Sequence, residues 1–153
     1  MRAVVCPVFG EPDVLVVEEW EAPRPGHGQV VVAPEAWGVN FVDVLMVAGG
    51  YQLRPELPFV PGLEAAGQIL SVGAGVTRFN EGDRVIIGMR PGTFAEQVVI
   101  PETALLAMPA AMSMEQGACF RSAFQTAYHG LVQGGRLATG EVALIHEIGR
   151  AHV

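Results

Sequence analysis

The chain has 153 residues, half of them hydrophobic, and a formal net charge of −7 at neutral pH. That length suits one domain and a fragment of a second, with enough apolar side chains for a sizeable core. The acidic balance and the lack of a basic cluster argue against nucleic acid as a partner, and no stretch approaches the roughly 18 apolar residues of a membrane span.

All nine basic residues are Arg and none is Lys, which with the abundance of Ala, Gly and Val points to a GC-rich bacterial gene. The apolar run from Met1 to Cys6 is too short for a secretory h-region, and Pro7 follows it. A soluble, reducing, cytoplasmic setting is expected, with Cys6 and Cys119 as two buried thiols and no disulfide.

Short Val-rich runs between frequent Gly and Pro predict many short strands joined by tight turns. Residues 3–8 and 14–19 read as two strands around the turn Gly10-Glu11-Pro12-Asp13, and 22–28 as a Pro/Gly loop. A longer strand over 29–39 contains Pro34, which removes a ladder donor and implies an edge, bulge or break there. Asn40 opens a short helix to about Ala48, with Asp43 three residues on in an N-cap pattern, and Gly49-Gly50 ends it. The stretch 51–62 is extended and punctuated by Pro55, Pro58 and Pro61. Residues 63–72 read as a buried strand, 84–88 and 93–100 as two more.

The character changes at Ser113, where Ser113-Met114-Glu115-Gln116 forms a capping box. The helix it starts is expected to reach about Val132, with Gly134-Gly135 as its stop. Residues 141–146 then read as the first strand of a parallel-sheet domain. The tail 147–153 breaks this pattern. One codon choice for residues 148–153, ATC GGA AGA GCA CAC GTC, spells the opening of a widely used sequencing adapter whose next triplet is a stop. An adapter-derived tail is therefore expected, with the gene's own product interrupted just after His146. The expected division is 1–112, a connecting helix over 113–132, and the start of a truncated second domain over 133–146.

An ordered series of segments carries a family resemblance: Ala36-Trp37-Gly38-Val39-Asn40-Phe41-Val42-Asp43, Pro58-Phe59-Val60-Pro61-Gly62-Leu63-Glu64-Ala65-Ala66-Gly67, Val72-Gly73-Ala74-Gly75-Val76-Thr77-Arg78-Phe79, Gly82-Asp83-Arg84-Val85, Gly92-Thr93-Phe94-Ala95-Glu96 and Gln125-Thr126-Ala127-Tyr128-His129-Gly130-Leu131. Together these resemble the N-terminal half of a medium-chain dehydrogenase/reductase, specifically a zinc-independent quinone oxidoreductase. The resemblance implies a mainly β, GroES-like, partly open barrel followed by a Rossmann domain, with catalysis in the cleft between them. It also implies NADPH as hydride donor, a quinone or enone as substrate, and a homodimeric parent protein. The nucleotide's glycine-rich phosphate loop is expected beyond His146, and the 153-residue chain alone is expected to be inactive.

Zinc relatives place Cys where Asn40 stands and His where Leu63 stands; an amide and an isobutyl group supply neither thiolate nor imidazole. No zinc is therefore expected. The resemblance gives Asn40 a catalytic and cofactor-contacting role, its amide meeting the nicotinamide ribose or the substrate oxygen; the alternative is a plain helix N-cap. Thr126 is expected near the nicotinamide, or else as a helical threonine bonding its own backbone. Phe41, Leu45, Tyr51 and Arg121 are assigned to the substrate pocket, with loop-anchoring for Tyr51 and a surface ion pair for Arg121 as the alternatives. Glu64 is read as a structural hydrogen-bond acceptor. A second functional reading, a stand-alone GroES-like binding or assembly module, leaves the connecting helix and the 141–146 segment without a purpose.

Overall fold

The computed structural model describes residues 1–88 and 91–145, so His146 and the suspected adapter tail lie outside the described residues. Among the described residues seven strands form: β1 (Arg2–Val5), β2 (Val16–Glu19), β3 (Gln29–Gly38), β4 (Glu64–Val72), β5 (Arg84–Gly88), β6 (Val98–Pro101) and β7 (Leu105–Ala107). β1 and β2 pair as an antiparallel ribbon, and the other five form an antiparallel sheet in the order β6-β3-β4-β5-β7. Isolated bridges Ala3–Ala95 and Cys6–Phe59 join ribbon and sheet into a half-barrel. The mainly β, partly open barrel expected from the sequence is the one observed.

Where both faces are covered, over residues 65–67 of β4 and 85–88 of β5, the central strands lose the usual polar alternation. Ala65, Ile69, Val85 and Ile87 point into the barrel core with Val30, Val32 and Ile100. Ala66 and Ile86, on the opposite face, pack with Met108 and Ala118 of the helix α2 (Met114–Ala118). A third cluster, Cys6, Met46, Val47, Phe59 and Leu63, fixes the helix α1 (Phe41–Val47) against the end of β1. The close approach of α2 depends on Gly117, where a Cβ would stand 2.9 Å from both the Ala66 methyl and the Met108 sulfur.

Pro34 behaves as its missing N–H requires. β6 pairs with β3 only from Gln29 to Val32, so Pro34 lies beyond the reach of that neighbour. On the other side the register with β4 shifts between Pro34 and Ala36, a bulge. The strand expected over 93–100 is shorter, because its first residues bond elsewhere. Thr93 and Phe94 donate to the carbonyls of Gly62 and Pro61, the Phe94 carbonyl accepts from Val4, and Glu96 donates to Arg2. The second strand begins at Val16, after a single 3₁₀ turn over Pro12–Val14. β7 has no counterpart in the sequence reading: only Leu105 of its three residues is buried, so it carries no alternation to detect.

The capping box at Ser113 forms in both directions, the Gln116 N–H donating to the Ser113 hydroxyl at 3.3 Å and the Ser113 N–H to Gln116 Oε1 at 3.0 Å. After α2 the winding widens to π geometry over Phe120–Gln125 and His129–Gly134, on either side of the short α3 (Thr126–Tyr128). Residues 141–145 form no strand, and Val142 and Leu144 are 95% and 80% exposed, with no sheet edge beside them among the described residues. No helix among the described residues is long and apolar enough to cross a membrane.

The two thiols differ, which corrects the expectation that both are buried. Cys6 is enclosed, donates to the Val8 carbonyl at 3.3 Å and has its pKa pushed up by burial, whereas Cys119 is exposed. Since the thiolate is the reactive form, iodoacetamide applied to the native protein at neutral pH is expected to modify Cys119 and leave Cys6 intact until denaturant is added. Peptide mass spectrometry reads the outcome; equal native labelling of both would contradict it.

Candidate active-site cleft

The site grows from one end of the sheet. Gly38, the last residue of β3, pairs with Glu64, the first of β4, and Glu64 pairs in turn with Gly88, the last of β5. A buried carboxylate thus stands between two residues without side chains. A Cβ at Gly38 would overlap the Glu64 side chain, and one at Gly88 would overlap the stem of Arg121. The glycines clear a floor on which Glu64 and the helix following Cys119 can lie.

Glu64 is only 3% exposed, and both its oxygens are matched. Oε1 accepts from Asn40 Nδ2 at 2.9 Å, and Oε2 accepts from the Ser122 backbone N–H at 2.9 Å. The Ser122 hydroxyl closes the triangle by donating to Asn40 Oδ1 at 3.1 Å. Its backbone bond falls where the helix widens from α to π, and a side chain entering the ladder is a recognised setting for such a departure.

Asn40 is the N-cap of α1, with extended backbone angles, and forms a capping box with Asp43 in which the Asn40 side chain faces the Asp43 backbone N–H, more loosely than a full hydrogen bond. Asp43 supplies the other half of the box: its Oδ2 accepts from the Asn40 backbone N–H at 2.7 Å. The close hydrogen bonds of the Asn40 amide itself go to Glu64 and Ser122. Asp43 is itself buried, and its Oδ1 meets no donor in good hydrogen-bond geometry among the described residues, the Gly62 N–H being the near one. Burial pushes its carboxyl up, the Asn40 N–H pulls it down, the nearby Glu64 charge pushes it up again, and the Gly62 N–H offsets part of this.

These groups face a cavity of about 330 Å³ lined by Asn40, Phe41, Val42, Leu45, Tyr51, Leu63, Glu64, Ser122 and Thr126. Five of the six residues singled out from the sequence meet there. Arg121 does not: it lines a neighbouring hollow with Gln125, His129 and Gln133, its stem lying over Gly88 and its Nε buried without a partner among the described residues. Ser122 escaped the sequence reading because no motif marks it, and its partners stand 58 and 82 residues earlier in the chain. Leu63 fills the position of a zinc relative's histidine by packing into the Cys6–Met46–Phe59 cluster. Among the described residues, no group of three or more His, Cys, Asp or Glu is placed to hold a metal. A second cavity of similar size, between Val4, Val17, Trp37, Val39 and Phe94, is apolar. Its Trp37 indole N–H is already bonded to the Thr93 carbonyl at 2.7 Å, and Arg2 is paired with Glu96.

Comparison with known proteins agrees with this architecture. Residues 26–110 match the alcohol dehydrogenase GroES-like domain, and the chain belongs to that family within the medium-chain dehydrogenase/reductase superfamily. Its relatives are of the quinone oxidoreductase kind. The quinone oxidoreductase-like protein 2 homolog of Nematostella vectensis is 40% identical over 145 residues, covering 94% of this chain and 40% of that protein. The structure of the human synaptic vesicle membrane protein VAT-1 homolog-like protein superposes with a TM-score of 0.85 at 33% identity, over 92% of this chain and 45% of that one. Escherichia coli quinone oxidoreductase complexed with NADPH gives 0.82 at 31% identity, over 88% and 41%. The chain spans less than half the length of each of these relatives.

Two outcomes follow from this geometry. Gly38→Ala drives a methyl group into the Glu64 side chain and is expected to destabilise the fold by about 1–3 kcal/mol, measured by urea unfolding; an unchanged midpoint would contradict the tight floor. Asp43 gives a pH signature. Its carboxyl lies above the ordinary 3.8 in the folded chain, so the folded state holds this proton more tightly than the unfolded state. The contribution favours folding at low pH and is lost as the pH climbs from about 4 through the raised value. Thermal melts of the wild type and Asp43→Asn across that interval are expected to diverge, the wild type losing ground as pH rises. The opposite trends of Glu96, Glu102 and Glu115, whose carboxyls are held low by hydrogen bonds, are common to both proteins and cancel. A constant difference would refute the assignment.

Proposed function

We propose that the protein to which this domain belongs transfers hydride from NADPH to a quinone or another activated carbonyl or alkene, without zinc. The observation that carries this reading is the Asn40 amide, held by Glu64 and Ser122 at the wall of a cleft whose other walls are Phe41, Leu45, Tyr51 and Thr126. A cavity of about 330 Å³ has room for a ring-sized body such as a quinone or a nicotinamide.

When bound, the nicotinamide supplies the hydride; the residues of this chain govern where the acceptor stands and what meets its developing charge. Hydride addition to a quinone or enone leaves negative charge on oxygen. Fixed donors at that point stabilise the transition state more than water does, because they need no reorganisation. The unused N–H of Asn40 and the hydroxyls of Tyr51 and Thr126 are the donors available on this wall. Phe41 and Leu45 add apolar surface against which a flat ring packs and from which water is displaced.

The 153-residue chain is expected to show no NADPH oxidation with a naphthoquinone, and the full-length protein from the parent gene to show it readily. In the latter, Asn40→Ala is expected to lower kcat/KM by about 10²-fold, in the range found for loss of one fixed donor, while shifting Tm by only a few degrees. A full-length protein that reduces neither quinones nor enones with either nicotinamide cofactor would overturn the reading.

A further inference from the structure

We propose that Glu64 is a positioning residue that decides which way round the Asn40 amide stands in the cleft, and with it the order of donor and acceptor offered to a ligand. A carboxamide is nearly symmetric in shape, so packing alone does not distinguish its oxygen from its nitrogen; only the hydrogen-bond partners do. Glu64 Oε2 is held by the Ser122 main-chain N–H, a donor that cannot turn round. Oε1 of the same carboxylate can only accept, and its partner 2.9 Å away is Asn40. The amide must therefore present its NH₂ to Glu64. The reversed amide would set two acceptors against each other beside a carboxylate that is almost wholly buried.

Ser122 does not decide the matter. Its hydroxyl is a rotor that donates to an oxygen or accepts from a nitrogen with equal ease, so it follows whichever end of the amide it meets. The Glu64 side chain is packed against Gly38, where even a methyl group would overlap it. Once these bonds are made, Asn40 retains, in fixed order, one N–H on Nδ2 and a second Oδ1 lone pair that is shared only loosely with the Asp43 N–H of the capping box. Resting on the oxidoreductase reading, the consequence is a cleft wall that takes a carbonyl or quinone oxygen at the Nδ2 end and a hydroxyl at the Oδ1 end.

The test is Glu64→Gln, which keeps the shape and replaces one acceptor by a donor. The Ser122 N–H retains the new side-chain oxygen, so the new NH₂ faces Asn40. The Asn40 amide then turns by half a revolution, and Ser122 Oγ changes from donor to acceptor. The bonds to residue 64 and Ser122 are kept, and only the loose capping contact with the Asp43 N–H is given up. Nuclear Overhauser contacts of the Asn40 side-chain NH₂, measured on the ¹⁵N-labelled 153-residue chain, read this directly. In the wild type they are expected to the Glu64 Cγ protons, and in Glu64→Gln to the Ser122 Cβ protons. Ser122→Ala is expected to leave the wild-type contacts to Glu64 unchanged. An amide oriented alike in the wild type and Glu64→Gln would overturn the proposal, as would one reversed or averaged in Ser122→Ala. The second variant decides the matter even if the first does not fold. The readout needs neither cofactor nor turnover, so failure of the activity reading leaves this result standing and the converse also holds.

Discussion

A carboxylate buried in the first residue of a central strand has to be met by donors, and that requirement organises this end of the barrel. An unpaired charge in such a place costs several kcal/mol even after relaxation. The donors for Glu64 come from residues 24 positions before it and 58 positions after it. Satisfying one side chain therefore pins the start of α1 and the helix after α2 to the same point of the sheet. Gly38 and Gly88, flanking Glu64 on the neighbouring strands, make room for the arrangement.

The rest of the fold is consistent with that anchor. β4 and β5 carry small or branched apolar residues on both faces, so the barrel core and α2 close on them from opposite sides. Gly117 lets α2 approach closely enough for the following turns to reach Glu64. The capping box at Ser113 sets where α2 begins, and hence where along the helix Ser122 falls. A local motif at one end of a helix thus contributes to geometry at the cleft nine residues on.

Features that depend on neighbours in sequence were legible in it. Pro34 announces its own bulge because a missing N–H is a property of the residue, and the Ser113–Gln116 box because its two partners are three residues apart. Of the cleft residues, Asn40, Phe41 and Thr126 lie in the ordered motifs and Leu45 and Tyr51 came from the family resemblance those motifs carry, and the fold brings the five together. What escaped depends on distant partners. The segment 93–96 alternates like a strand but spends its hydrogen bonds on β1 and the loop at Pro61–Gly62. Cys119 looks like a core residue by type, yet its place on the helix turns it outward. Arg121 and Ser122 are neighbours, and the helix phase alone sends one toward Gly88 and the other to Asn40. No one-dimensional pattern encodes that choice.

Asp43 explains how an asparagine at an N-cap is free to serve a cleft. An N-cap asparagine ordinarily spends its side-chain oxygen on the helix's own N–H groups. Here the carboxylate three residues on takes the Asn40 N–H from below, and the Asn40 carbonyl accepts from Asp43. The helix start is held mainly by these two bonds, and the Asn40 side chain joins the capping box only loosely. The cost is a second buried carboxylate beside Glu64, its proton held more tightly than usual. Where zinc relatives use a thiolate and an imidazole to hold a Lewis acid, this chain has an amide and a packed leucine. A metal draws charge from several directions, whereas an N–H acts along one line, so its orientation must be fixed in advance. Fixing it requires an acceptor that cannot reverse, anchored to a main-chain donor that cannot reverse either, and Glu64 bound to the Ser122 N–H supplies both.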